Sequence, residues 1–475
     1  MTYQVPQHIN KIFIVNRSKI EGRLDAQYYN ADLNLSGYVK LSSVAIVKGG
    51  KRIPKGYGYS EIPTLYYYLR VVDMDSDTQV DVNNLMNISE DVFKFLERYE
   101  FKKGELAISI AGTIGKTTIL KNIPIGKRII LTENCAKILV KPNIELLLEY
   151  LKISLDLPIV KKQLDLNYIQ TTIPKLGLDK IKGIKIPSIP QYKKQREIIE
   201  YINAAYTQKQ AKEKEAQQLL DSMDGYLLKE LGIELSKIET KIGNRIFTIN
   251  LSRLERNRLD SNYYDVKYRC LLSCIQKGRY ALRSLGEVSS FLSTGQTPKS
   301  DCYTDEITEF PIIKAGSYSG FEIDLRKIAY TIDKQQHSVE KGDIFILSAA
   351  HQAEYIAKQI CYLSDIPAPN TSFVGELLCI RAEKNINSMY LYSLLSTTLY
   401  KTLLNREKRG QTSHLYSQDV KRILVPIPPI EKQDEIAKHI ITIHLKAKAL
   451  QEEGKTILEN AKYKVEQMII EQSHV

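Results

Sequence analysis

The sequence predicts a mixed α/β protein made of two copies of one module, each closed by a long helix. The two helices are expected to pack antiparallel about an internal pseudo-twofold axis. Three observations predict this. A proline-rich lead-in followed by a long, proline-free amphipathic stretch occurs twice, 238 residues apart when measured from Gln195 to Gln433. An Arg-Leu-Asp-x-x-Tyr-Tyr box opens each copy, at Arg23, Leu24, Asp25, Tyr28 and Tyr29 and again at Arg258, Leu259, Asp260, Tyr263 and Tyr264. Between box and helix, runs with β-branched and aromatic content alternate with glycine turns, as strands do. Matching stretches of this length in one chain are the signature of a duplication.

The elements follow in order. Upstream of each box, Phe13, Asn16, Ser18 and Glu21 match Phe247, Asn250, Ser252 and Glu255. The box is expected to dock the module onto its own long helix, or onto a partner. Residues 39–56 and 281–300 then read as a short amphipathic element, a glycine turn and Pro-Lys, at Pro54-Lys55 and Pro298-Lys299. Lys48, Lys51, Arg52 and Lys55 make a glycine-loosened basic loop, and Lys299 stands at the matching place in the second copy. Such a loop can follow a phosphate backbone, or can simply be solvated.

Residues 102–120 read as a strand, a tight glycine turn and a second strand, with Thr113, Lys116 and Thr117 around the tip. A phosphate-cradling loop needs four residues between its first glycine and the Gly-Lys pair. Gly112 and Gly115-Lys116 enclose only two, so the spacing does not fit a nucleotide loop. A hairpin tip can instead reach a groove. The second copy keeps Lys341-Gly342-Asp343 but lacks the Gly-Thr-Ile-Gly-Lys sequence, so its tip is expected to differ.

Each copy closes on a polar stretch before its prolines. Thr171 and Thr172 stand opposite Thr412 and Ser413. Arg406, Lys408, Arg409, Gln411, Thr412 and His414 form a second candidate contact loop, since Arg and Gln can bind guanine and adenine edges bidentately. A solvated loop beside a helix cap is the other reading. Segments with helical periodicity precede both stretches.

Prolines 426, 428 and 429 hold the second lead-in extended. Beyond it Ile436, Ile440, Ile443, Ala447, Leu450, Gly454, Ile457, Ala461, Lys464 and Met468 alternate spacings of four and three, a coiled-coil seam broken only by Lys464. Ile198, Ile202, Ala205, Lys209, Lys212, Ala216, Leu219, Met223 and Tyr226 hold the same phase in the first copy.

A formal net charge of +12 favours a polyanionic partner without proving one. The six cysteines form no CxxC pair and the seven histidines no His-x-x-x-His pair, so no zinc site is expected. Neither a methyltransferase cofactor loop with an Asn/Asp-Pro-Pro-Tyr/Phe turn nor a nuclease constellation is present in the sequence. No covalent chemistry and no cofactor are expected. No run approaches 18 apolar residues and residues 1–13 carry no signal-like apolar core, so a cytoplasmic protein without a membrane partner is expected.

The Pro-Ile-Pro-Pro-x-x-x-Gln-x-x-Ile lead-in of the second copy, answered in the first by Ile-Pro-Ser-Ile-Pro ahead of Gln195, resembles the specificity subunit of type I restriction-modification systems, over essentially the whole chain. Gly-Glu-x-x-Ile-Ser followed by Gly-Thr-Ile-Gly-Lys is similar to a motif of that family's target recognition domains. The resemblance implies two such domains, at 1–190 and 236–425, separated by spacer helices at 191–235 and 426–475. It implies double-stranded DNA with a bipartite site as ligand. It also implies two methyltransferase subunits and restriction subunits as partners, and no catalysis by the chain itself. The alternatives are a specificity module of another restriction or phage-exclusion system, a coiled-coil scaffold, or a phosphate-binding enzyme.

Overall fold

The computed structural model describes residues 15–17, 20, 29, 31 and all from 33 onward except 75–79, 81–83, 122, 168–173, 236–247, 256–257, 320, 351, 411–413 and 474–475. Most of the first Arg-Leu-Asp-x-x-Tyr-Tyr box lies outside the described residues. Two compact units divide the chain, residues 1–212 with 452–475, and residues 213–451. The boundary therefore cuts through both long helices instead of setting them apart.

In the first unit the strands are β1 (Val39–Lys40), β2 (Ala45–Gly49), β3 (Tyr66–Leu69), β4 (Met86–Asn87), β5 (Glu100–Phe101), β6 (Leu106–Ser109), β7 (Thr117–Ile119), β8 (Arg128–Leu131), β9 (Cys135–Val140) and β10 (Lys185–Ile186). The helices are α1 (Leu41–Val44), α2 (Glu90–Leu96), α3 (Leu148–Asp156), α4 (Pro158–Asn167), α5 (Leu178–Gly183) and the first half of α6 (Tyr192–Leu231). One sheet runs β2-β9-β6-β7, all antiparallel; a second runs β4-β3-β8-β5, with β3 and β8 parallel. The alternation of side chains along a strand explains the layering. Leu106 and Ile108 of β6 face the helices, while Ala107 between them faces the second sheet. Ile129 and Leu131 of β8 face back toward the first sheet, and Ile130 faces α2. A short β1–β10 ladder, pairing Val39 with Ile186, ties the start of the module to its end.

The second unit repeats this plan. Its strands are β11 (Leu282–Ser284), β12 (Ser289–Thr294), β13 (Tyr303–Thr304), β14 (Pro311–Ile313), β15 (Tyr318–Ser319), β16 (Glu322–Ile323), β17 (Ala329–Thr331), β18 (Ile344–Leu347), β19 (Ile360–Tyr362), β20 (Ser372–Phe373), β21 (Leu377–Ala382) and β22 (Leu424–Pro426). Its helices are α7 (Val266–Gln276), α8 (Ser388–Ser396), α9 (Thr398–Arg406), α10 (Ser417–Val420) and the first half of α11 (Ile430–Ser473). The order β12-β21-β18-β19 reproduces β2-β9-β6-β7, and the parallel pair β14–β20 reproduces β3–β8. The β11–β22 ladder reproduces β1–β10. The second unit then adds β16 and β15 beyond β19.

The matched glutamines explain why both prolines and helix recur together. Gln195 is buried; its Oε1 accepts from the Leu147 N–H at 2.8 Å, and its Nε2 donates to the Glu145 and Pro190 carbonyls at 2.8 and 2.9 Å. Gln433 does the same work, accepting from the Asn387 N–H at 3.0 Å and donating to Pro428 O at 2.8 Å. Each amide stitches the proline lead-in to the segment that starts the preceding helix. It thereby satisfies backbone groups that neither helix nor sheet can reach.

The long helices span 40 and 44 residues. In the first unit Ile198, Ile202 and Ala205 of α6 share a core with Leu458, Ala461, Val465 and Ile469 of α11. In the second, Leu227 and Leu231 share one with Ile436, Ala437 and Ile440. The start of each helix thus lies beside the end of the other, an antiparallel pair. Ile436, Ile440 and Ile443 are buried, whereas Leu219, Met223, Leu450 and Ile457 are half-buried. Past Gly454 the inward face moves on by one residue: Leu458, Val465 and Ile469 are buried, and Lys464 is exposed. Leu227 likewise replaces Tyr226. A straight helix drifts by about 20° per heptad, so three heptads move a seam by more than half a residue. The lysine that broke the expected seam is simply outside it.

Candidate nucleic-acid interface

Strand direction decides which loops meet. In the first unit β2 and β6 end, and β7 and β9 begin, at the same end of their sheet. The basic loop after Gly49, the hairpin tip at 110–116 and the 132–134 turn therefore share that end. The stretch before the prolines joins them. Ala111 bridges to Lys175, the Gly112 N–H donates to Pro174 O at 3.1 Å, and the Leu176 N–H to Ile110 O at 2.8 Å. The second unit repeats the arrangement: Ala349 bridges to His414, and the Leu415 N–H donates to Ser348 O at 2.9 Å. Three regions flagged separately in the sequence come together at one sheet end in each unit.

The glycine turn has a steric cause. The Gly50 N–H donates to Cys135 O at 2.9 Å, the Lys51 N–H to Leu131 O at 3.0 Å, and a Cβ on Gly50 would stand 2.0 Å from Thr132 O. In the second unit the Gly295 N–H donates to Leu377 O and the Gln296 N–H to Phe373 O, both at 3.2 Å, and a Cβ on Gly295 would stand 2.1 Å from Phe373 O. In both, the chain leaving one sheet lies against the backbone of the other, and only hydrogen fits.

In the first unit Lys48, Lys51, Lys55 and Thr113 are exposed and Lys116 is half-buried. Arg52 is exposed, but its Nε lies 2.5 Å from Glu133 Oε1. Tyr68 donates to Glu133 Oε2 at 3.1 Å. Partial burial pushes the Glu133 carboxyl up; hydrogen bonds led by Arg52 outweigh it and hold the group below its ordinary range. Lys55 and Gly56 are the central residues of a turn closed by the Tyr57 N–H to Pro54 O at 3.1 Å, with Gly56 at φ 92°. That turn presents Tyr57, whose exposed ring packs on exposed Phe95 at 5.6 Å. Sequence reasoning passed over Tyr57, Tyr59 and Phe95; two tyrosines directly after a basic glycine loop were the available signal.

The hairpin is as expected in form, with β6 and β7 paired antiparallel and Gly112 and Gly115 at φ 73° and 80°. Ser109 braces the turn, its Oγ donating to the Thr113 carbonyl and accepting from the Lys116 N–H. Thr117 is corrected. It is fully buried, with its hydroxyl 2.8 Å from the Asp156 carboxylate, which Lys152 also meets at 2.8 Å. It completes a core polar cluster and faces no ligand. Thr171 and Thr172 lie outside the described residues.

In the second unit the matching tip is longer, spanning 348–359 between β18 and β19, and holds Ala357 at φ 58°. Lys299 is exposed. Arg406 is corrected: its Nε donates to Tyr263 O at 3.0 Å and its guanidinium lies 3.8 Å from the Tyr263 ring centre, so it is spent inside the unit. Lys408 is corrected in the same sense. Its Nζ donates to Ala353 O at 2.6 Å, and burial pushes its ammonium pKa down, so it braces the tip from within. Arg409 stays at the surface, paired with Asp419 at 2.8 Å and lying over Tyr416. His414 is half-buried, its ring stacked on Tyr416. Gln411 and Thr412 lie outside the described residues.

Among the described residues no group of His, Cys, Asp and Glu is placed to hold a metal ion. No helix among them is long and apolar enough to cross a membrane.

The family described as type I restriction modification DNA specificity domain matches the chain twice, over residues 36–221 and 278–459. The chain belongs to that family. Both matches run from just before the paired ladders into the long helices, so the duplication and the family unit coincide. A Methanocaldococcus jannaschii protein, provisionally named the type I restriction enzyme MjaX specificity subunit, is 29% identical over 168 residues, which are 34% of this chain and 38% of that protein. The chain thus spans well under half of that relative's length. Among solved structures, the type I restriction-modification S subunit from M. genitalium is similar over 94% of this chain and 98% of its own, at 15% identity and TM-score 0.40. A chain from a study of complex assembly and conformational transition in the type I system is similar over 92% of this chain and 97% of its own, at 13% identity and TM-score 0.49.

Proposed function

We propose that the chain reads a bipartite double-stranded DNA site, one half with each unit. It would carry two methyltransferase subunits, and restriction subunits with them, to that site. The observation that carries the reading is one scaffold written twice with different loops at the same sheet end. A scaffold held constant positions; loops that differ can specify. Exposed Lys51 and Lys55 and half-buried Lys116 in the first unit, with exposed Lys299 in the second, supply phosphate contacts, which fix orientation without reading sequence. The hairpin tips and the stretch bracketed by Arg409 and His414 are the parts that reach base edges. Family membership supports the partner half of the proposal. The chain itself would transfer no methyl group and cut no strand; it would lend sequence choice to subunits that do.

The test is a module exchange. Residues 41–185 are replaced by the corresponding stretch of a relative, and genomic methylation is mapped in cells carrying the complete system. One half of the modified sequence is expected to change while the other stays. A simultaneous change in both halves, or in neither, would rule out independent reading.

A further inference from the structure

The Arg-Leu-Asp-x-x-Tyr-Tyr box is a repeated motif that DNA reading leaves without a role. In the second unit Arg258 and Tyr263 are buried and Tyr264 half-buried, while Leu259 and Asp260 stay exposed. All three nitrogens of the Arg258 fork donate: Nε and one terminal nitrogen meet the two Asp260 oxygens at 2.9 and 2.7 Å. The terminal nitrogens also donate to the carbonyls of Glu407 at 3.3 Å and Lys408 at 2.7 Å. Arg258 and Arg406 both lie against the Tyr263 ring, at 4.2 and 3.8 Å from its centre. Tyr263 is anchored by its hydroxyl to Glu255 at 2.8 Å, and the Tyr264 hydroxyl donates to Arg258 O at 3.1 Å.

The carbonyls that Arg258 grips lie within the candidate contact stretch, immediately before Arg409. Arg409 and His414 close the base of that loop through reciprocal backbone hydrogen bonds of 3.0 and 2.8 Å. The Leu415 N–H then ties it to Ser348, and the Lys408 side chain ties it to Ala353. One buried arginine therefore holds the base of one loop, and through Lys408 the second.

We propose that the box is a clasp: Arg258, Asp260 and Tyr263 are positioning residues that set the contact loops of their own unit. This rests on the DNA reading above for its consequence, but not for its mechanics. A planar guanidinium meets both carboxylate oxygens and two carbonyls from three separate nitrogens; a lysine keeps the charge, but its three donors radiate from one atom and cannot reproduce that fork. The two carbonyls belong to consecutive residues, so their direction is fixed along with their position. The clasp thus passes the geometry of the module's opening segment to the loops that meet DNA.

The experiment uses Arg258→Lys in the full chain, with amide hydrogen exchange first and genomic methylation by the assembled system second. Exchange at Arg409, His414 and Leu415 is expected to rise about tenfold or more, while Ile198 and Ile202 in α6 stay protected. Discrimination is expected to relax in one half of the modified sequence only. A merely structural role would lower both halves and total modification together. Lys408→Met cuts only the link to Ala353 and serves if the first variant does not fold; it is expected to relax the same half. Unchanged exchange at the three amides overturns the clasp. Raised exchange with both halves read as before overturns its part in recognition. A native system without sequence-dependent methylation overturns instead the DNA reading itself.

Discussion

At the scale of single residues, two contacts decide what the sites tolerate. Gly50 and Gly295 have no room for a methyl group, since a carbonyl oxygen stands 2.0 and 2.1 Å from where it would be. Both obstacles are backbone, so neither can rotate away. Gly50→Ala and Gly295→Ala are each expected to cost about 2–4 kcal/mol in chemical denaturation, by overpacking and loss of the crossing hydrogen bonds. Gly58→Ala, with nothing within 4 Å, is the control and is expected to stay within about 0.5 kcal/mol. His444 is the second contact. It is buried, stacked on Phe321 at 4.0 Å between ring centres, and its Nε2 has no hydrogen-bond partner among the described residues. Burial pushes its pKa down from 6.5 to about 4, against the pull of Glu322. As pH falls from about 6.5 to 4, the unfolded chain takes up the proton and the folded chain does not, so stability is lost through that window. The loss approaches about 3 kcal/mol at its lower end. His444→Tyr places there the residue type that stands 238 positions earlier, at Tyr206. It is expected to flatten that decline, read from denaturation midpoints across the window; an unchanged slope would assign the acid sensitivity elsewhere.

At the scale of elements, the long helices show where spacing rules hold and where they drift. The heptad pattern located the inward face through Gly454, because over short stretches 3.5 and 3.6 residues per turn scarcely differ. Beyond that the drift chooses Leu458 over Ile457. Leu458→Asp buries an unpaired charge and is expected to cost about 3–5 kcal/mol, whereas half-buried Ile457→Asp should cost no more than about 2. Equal losses in thermal denaturation would refute the shifted face. Helices, hairpin and duplication were legible because each rests on local periodicity or on the chain repeating itself. The roles of Thr117, Arg406 and Lys408 were not. A threonine at a strand start and cations in a polar, glycine-containing stretch carry no local mark of burial. What turns them inward are Asp156, Tyr263 and Ala353, which lie 39, 143 and 55 residues away. The clasp was visible as a repeated motif, but its target at 407–408 could be found only by folding.

At the scale of the molecule, each unit draws on helix from two separated parts of the chain. The first unit's core includes Leu458, Ala461, Val465 and Ile469, encoded far from the rest of it. A fragment ending at Leu231 leaves Ile198, Ile202 and Ala205 without those partners. It is expected to self-associate or aggregate in size-exclusion chromatography, and to become monodisperse when residues 430–473 are supplied as a separate chain. A well-behaved monomer from the fragment alone would show that the distant half-helix is dispensable.

The same division has a consequence for how the protein is made. The second unit is one continuous stretch, 213–451, and leaves the ribosome whole. The first unit begins earlier yet lacks its closing helix until residues from Glu452 onward are translated, some 240 residues after Lys212, roughly 12–48 s at 5–20 residues per second. The part synthesised first is therefore the part completed last, and its exposed helical stripe must be shielded for that interval by chaperones or by partners already at hand. An interruption of synthesis just after Gln451 leaves a chain with one finished unit and one unfinished, which proteolysis can distinguish from the whole.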